Sequence, residues 1–149
     1  MQWAYSYTAS NHLETETDYP YTGKDGTCKF TKSKGRVGAT GYKNVAQNSQ
    51  SQLRAAANIG PVSVAIEADK SVFQTYKSGV LSSNGCGTKL DHGVLVVGYG
   101  RQGLHDYYIV KNSWGPTWGD SGYIKIAGSR SGPGTCGIQM GPVYPSGTN

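Results

Sequence analysis

Long hydrophobic runs are missing from this 149-residue chain. The longest unbroken apolar stretch, at 94–97, is about four residues, against the roughly 18 to 20 that a membrane-spanning helix needs. No spanning helix and no membrane partner are expected. Charge is sparse as well: Asp, Glu, Lys and Arg make up 15% of the residues, and the net charge of +5 is scattered rather than gathered into a Lys/Arg run. A nucleic-acid partner is therefore not expected. There is no G-x-y period and no sustained heptad, which excludes collagen-like and coiled-coil architectures. The opening MQWAYSYTAS carries neither a basic nor an apolar segment, so it does not read as a secretory signal. No internal repeat and no inter-domain linker is visible.

Cysteine is scarce. Cys28, Cys86 and Cys136 form no C-x-x-C pair and have no histidine at zinc-ligand spacing, so no metal site is expected. An odd count leaves at least one cysteine unpaired in the chain, or paired with something outside it. Three reduced thiols suit the composition equally well. What the chain does have is 22 Gly, 11 Tyr and 36% hydrophobic residues in 15.8 kDa, the composition of a loop-rich, β-containing globule, either one domain or part of a larger unit.

Residues 1–12 space Trp3, Ala4, Tyr7 and Thr8 as a short amphipathic helix. Residues 19–48, rich in Gly, Lys and Thr with a turn at Asp25-Gly26, read as an extended loop with short strands. Ser49 followed by Gln52 resembles a capping box; SQLRAAANI is a strong helix former, and Gly60-Pro61 stops it. PVSVAIE (61–67) alternates as a strand does. Asp69 is expected to cap a short helix carrying Val72, Phe73 and Tyr76, ended by Gly79. After a loop at 82–89, the runs 93–99, 106–111 and 122–126 are separated by turns and argue an antiparallel sheet or barrel. SRSGPGTCG reads as a loop, and 138–144 as one more strand.

Two segments could carry chemistry. In LDHGVLVVGYG, His92 stands at the entrance of an apolar strand with Gly93 beside it, so its ring can face an open groove; alone, such a residue also suits a structural role. In YYIVKNSWGPTWGDSGYIKI, Asn112 ends a strand and is followed by Trp114 and Trp118, which suit packing as well as function. An imidazole and an amide on two strands are what a nucleophile's base needs: the amide oxygen accepts the ring N–H and so selects the tautomer. His12 and His105 read as solvated surface groups. Lys29, Lys32, Lys34 and Arg36, interleaved with Gly, Ser and Thr, read as a solvated loop.

Together ETDYPYTGKDGTCKF, PVSVAIEA, F-x-x-YKSGV, CGTKLDHGVLVVGYG, YIVKNSWGPTWGDSGYIKI and CGI, in that order, resemble the C-terminal two-thirds of a papain-like cysteine protease of the cathepsin L and plant papain group, over residues 1–145. The resemblance implies an α+β fold. It consists of a right-hand antiparallel β-barrel domain, mainly residues 21–145, and a remnant helix of the left-hand helical domain in residues 1–20. It implies a Cys-His-Asn endopeptidase of peptide or protein substrates, with no cofactor. His92 is then the catalytic histidine, Asn112 orients it, and Trp114 covers their hydrogen bond and lines the leaving-group side of the cleft. The pocket for the substrate residue one before the cleaved one draws on Ala65, Leu90, Gly93, Gly141 and Met1, small or apolar groups that favour a hydrophobic side chain. Tyr108 stands where the family usually has Trp or Ile.

The family's Gln, followed by a Cys-Trp pair on a helix N-terminus, is not in these residues. The three cysteines precede Lys29, Gly87 and Gly137, and each matches a disulfide position of the family instead. By resemblance Cys86 pairs with Cys136, and the partner of Cys28 lies in a segment ahead of Met1. The expectation is a chain equivalent to a mature enzyme without its first several dozen residues, inactive alone. It is completed by a nucleophile-bearing segment, or by a separate chain joined through Cys28, and resides in a lysosomal, vacuolar or secreted setting. The alternative is a nonenzymatic peptide- or protein-binding fragment or pseudoenzyme.

Overall fold

The computed structural model describes residues 1–82 and 85–147, and residues 83 and 84 of the 82–89 loop lie outside it. Two compact units are present, one formed by Met1–Lys43 with the chain from Pro145 onward, the other by Asn44–Tyr144.

In the first unit, α1 (Gln2–Ser10) forms where the spacing places it, but it buries only Thr8 and leaves Trp3 89% exposed. Beyond α1 the chain is held by local polar ties. Leu13 and Val37 form a bridge, Thr31 N–H donates to Glu14 Oε1 at 2.6 Å, and Tyr21 N–H donates to Glu16 Oε1 at 2.8 Å. His12 lies against Gly35, whose missing Cβ would sit 2.7 Å from the His12 Cβ. His105, in the other unit, is exposed.

In the second unit, α2 (Gln50–Ile59) starts at Ser49, whose side chain accepts the Gln52 N–H, and ends at Gly60 before Pro61. It buries Leu53 and Ala56. β2 (Val62–Ile66) follows with strict alternation, burying Val62, Val64 and Ile66 on one face. α3 (Ser71–Gln74) is preceded by Lys70, with no side-chain cap. The expected Asp69 cap is thus not made: the Asp69 carboxylate is drawn instead to Lys70 Nζ at 3.1 Å. β4 (His92–Gln102) and β5 (His105–Lys111) form a long hairpin whose tip carries Leu104, 94% exposed; β6 (Tyr123–Ala127) pairs antiparallel with β5.

With β1 (Tyr42–Asn44), β3 (Val80–Leu81) and β7 (Val143–Pro145) these strands form one seven-stranded sheet of order β1-β7-β2-β4-β5-β6-β3. The β3–β6 pair is parallel. The units divide within β1 and β7. The strand expected over 138–144 shrinks to β7, because a 3-10 turn at Thr135–Gly137 and an α-region Ile138 precede it. The core draws Val62, Val64 and Ile66 together with Val96, Val110, Ile124, Ile126, Leu53 and Phe73, each fully buried large side chain stabilising by about 1.5–3 kcal/mol. The architecture is α+β, and among the described residues no helix is long and apolar enough to cross a membrane.

Candidate active site

β2 and β4 run antiparallel with Ile66 opposite His92 and Ala65 opposite Gly93, so the buried end of β2 fixes the backbone of the histidine. Next, β4 pairs with β5 with Leu95 opposite Lys111. Continued past Lys111, that register brings Asn112 opposite Val94, a diagonal step from His92, and Trp114 opposite His92 itself. The side chains obey it: His92 Nε2 lies 2.8 Å from Asn112 Oδ1, and the Trp114 ring stacks on the imidazole at 5.1 Å. The 113–122 turn that follows returns to Asn112, whose N–H donates to Gly122 O at 3.0 Å. Gly119, at φ +60°, is required there because a Cβ would lie 2.5 Å from Tyr123 O.

The Asn112 oxygen also accepts the Ser113 N–H at 2.8 Å. A flipped amide would set two donors against each other, so the oxygen faces the ring and Nε2 of His92 is the protonated nitrogen. Nδ1 is left available for proton exchange. Asn112 is buried, and its Nδ2 has no partner among the described residues.

Aromatic rings surround this pair. Phe73 of α3 stands edge-on to His92 at 6.4 Å and to Trp114 at 5.4 Å, while Trp118 meets Phe73 at 5.1 Å and Trp114 at 5.3 Å. Trp118 is pinned by its indole N–H, which donates to Gln74 O at 2.9 Å. An apolar wall lowers the local dielectric and strengthens the His92–Asn112 bond. The enclosing roles of Phe73 and Trp118 were not expected from the sequence; the Trp-x-x-x-Trp spacing was the one signal for the second of them.

Behind the histidine, Asp91 N–H donates to Ile66 O at 3.0 Å and Asp91 Oδ1 accepts the Ala68 N–H at 2.8 Å. Cys86 and Cys136 are bridged, with sulfurs 2.06 Å apart and a sequence separation of 50, so both His92 and Asn112 lie inside the covalent loop. Cys28 is free and exposed. Of the groups assigned to the specificity pocket, Ala65, Leu90, Gly93 and Gly141 lie in the second unit and Met1 in the first. A Cβ built on Gly93 or Gly141 meets nothing within 4 Å, so both positions border open space, whereas Leu90 leans against Gly137. No cluster of His, Cys, Asp or Glu that could hold a metal ion occurs among the described residues.

Comparison with known proteins places these features in a family. Residues 1–146 match the model of the papain family cysteine proteases. The chain is 46% identical over 151 residues to the probable cysteine protease RDL2 of Arabidopsis thaliana, covering 98% of this chain and 41% of that one. It is 46% identical over 136 residues to digestive cysteine proteinase 1 of Homarus americanus, covering 90% and 42%. Among solved structures, the bromelain protease of Ananas comosus in complex with the E64 inhibitor superposes with a TM-score of 0.84 at 39% identity, covering 96% of this chain and 65% of that one. The ragweed pollen allergen Amb a 11, a cysteine protease in its proform, gives 0.90 at 37%, covering 97% and 45%. The chain thus spans under half the length of these curated relatives.

Proposed function

The chain belongs to the papain family of cysteine proteases, and from that premise we propose that it is the acid–base half of a Cys-His-Asn endopeptidase, completed by a segment that carries the nucleophilic cysteine. The observation that carries this reading is the doubly occupied Asn112 oxygen, which holds His92 with Nε2–H inward and Nδ1 available. In the completed enzyme a thiolate attacks the peptide carbonyl and His92, as imidazolium, protonates the leaving amine through Nδ1. The neutral ring then takes a proton from water as it attacks the thioester, and the thiolate departs. Trp114 shields the His92–Asn112 bond from water. Ala65, Leu90, Gly93 and Gly141, all of the second unit, select a hydrophobic side chain one residue before the cleaved position, and peptides or proteins are the substrates.

None of the three cysteines is taken as the nucleophile: Cys86 and Cys136 are bridged, and Cys28 precedes Lys29 rather than a Trp or Tyr. The 149-residue chain alone is therefore inactive, and Cys28 is the point through which a separate nucleophile-bearing chain could be attached. Residues 1–20 represent the helical domain and 21–145 chiefly the barrel domain of the whole enzyme. The bridge favours a lysosomal, vacuolar or secreted setting. A nonenzymatic peptide-binding role is the second reading, favoured by the same accounting of the cysteines.

The test joins the chain at Met1 to the nucleophile-bearing segment of one of the curated relatives. The joined protein should hydrolyse a dipeptidyl fluorogenic substrate and take up an epoxide inhibitor, and His92→Ala should cost roughly 10²- to 10⁴-fold in rate. The 149-residue chain should do neither. Turnover by the chain alone that is lost in Cys86→Ser overturns the assignment; a folded but inert joined protein favours the nonenzymatic reading.

A further inference from the structure

Glu67, the residue after β2, is 2% exposed and takes no part in the chemistry proposed above. Both of its carboxylate oxygens are engaged, each by a different segment. Oε2 accepts the Lys89 N–H at 2.8 Å, and only Leu90 and Asp91 separate Lys89 from His92. Oε1 pairs with Lys70 Nζ at 3.2 Å, and Lys70 is the residue from which α3 starts, the helix whose Phe73 stands against His92 and Trp114. Lys70 also holds Asp69 at 3.1 Å. The Glu67 backbone is tied to the bridge, its N–H donating to Cys136 O at 2.9 Å and its carbonyl oxygen lying 3.4 Å from Cys86 Sγ. Gly87 makes room for the arrangement: a Cβ there would run into the Glu67 carboxylate.

We propose that Glu67 is a positioning residue for His92, one buried carboxylate bracing from a single point the two segments that converge on the imidazole. Burying a carboxylate is unfavourable unless each oxygen finds a donor, and here each does. A glutamine would still accept from Lys89 but would turn its amide N–H groups toward the Lys70 ammonium, so the α3 brace would be lost. An aspartate falls one methylene short of both. The functional meaning rests on reading His92 as the acid–base of a thiol peptidase, where a misplacement of about 1 Å can cost around a hundredfold in rate. The geometric content does not depend on that reading.

The test uses the 149-residue chain labelled with 15N, by NMR, following solvent exchange of the His92 Nε2–H and the Lys89 amide in Glu67→Gln, Lys70→Met and Lys70→Arg. Glu67→Gln and Lys70→Met should speed Nε2–H exchange by at least about tenfold, after correction for global unfolding measured with denaturant. Lys70→Arg should restore the wild-type rate. The Lys89 amide should stay protected in Glu67→Gln, which keeps its acceptor. Nε2–H exchange within about twofold of wild type in both disruptive variants, whatever their stability, overturns the proposal. If Glu67→Gln does not fold, the Lys70 pair decides alone, since that side chain is exposed. No substrate is involved, so an inert joined enzyme and an unmoved His92 proton are separate failures.

Discussion

Asn112 shows how much a single amide can be asked to do. Its oxygen takes two N–H groups, one from a ring and one from the next peptide, at 2.8 Å each. Asn112→Ala should lower stability by about 1–2 kcal/mol in urea titration, because the Ser113 N–H and the His92 ring both lose their acceptor, while Asn112→Asp, which keeps two acceptor oxygens, should lose less. A second residue reports through pH. Burial pushes the Tyr108 hydroxyl well above its ordinary 10.0, with Asp106 adding to the rise and Arg54 opposing it, and the hydroxyl donates to Gln139 Oε1 at 3.1 Å. The unfolded chain releases this proton from about pH 10 upward and the folded chain retains it. Its contribution is therefore complete below the unfolded value and falls above it, by about 1.4 kcal/mol per pH unit. The difference in denaturation free energy between wild type and Tyr108→Phe, measured from pH 9 to pH 11 or so, should narrow with that slope.

Among the elements, α2 was legible because its signals are local: a serine ahead of the first turn, good helix formers, then Gly60-Pro61. The same helix separates two kinds of stabilisation. Leu53→Ala should cost about 2–5 kcal/mol, since the side chain is fully buried, whereas Ser49→Ala should cost under about 1 kcal/mol, its bond to Gln52 N–H being 3.4 Å long. Chemical denaturation of both variants checks the ranking. β2 was legible from its alternation. Other features were not legible: β3 lies parallel to β6, a partner distant in sequence, while Asp69 turns to the neighbouring Lys70 rather than capping α3 and residues 138–140 turn instead of extending, local outcomes that residue type alone does not decide. His92, Asn112 and Trp114 could be picked out because each sits in a distinctive run, and the sheet register then explains their meeting. Glu67 carried no such mark, because nothing in PVSVAIEA says that its last carboxylate is buried with both oxygens occupied.

Across the whole molecule, burial is divided unequally. The first unit buries only Thr8, Gly38 and Ala39 among its described residues, while the second holds the aliphatic core. Amide exchange should accordingly be fast through residues 1–43 and slowest in β2, β4 and β5. Reducing the Cys86–Cys136 bridge should destabilise the chain by about 2–4 kcal/mol, read as a shift of the urea midpoint with and without reductant, because it closes a long loop that contains β4, β5 and β6. The position of that bridge also governs what a broken chain would be. Leu104 projects from the β4–β5 tip, the natural place for a protease to cut, and the cut would leave His92 and Cys86 on one fragment and Asn112 and Cys136 on the other. Two fragments would then travel as a single band until reductant separates them, still paired along β4 and β5, with the imidazole and its amide partner owned by different polypeptides.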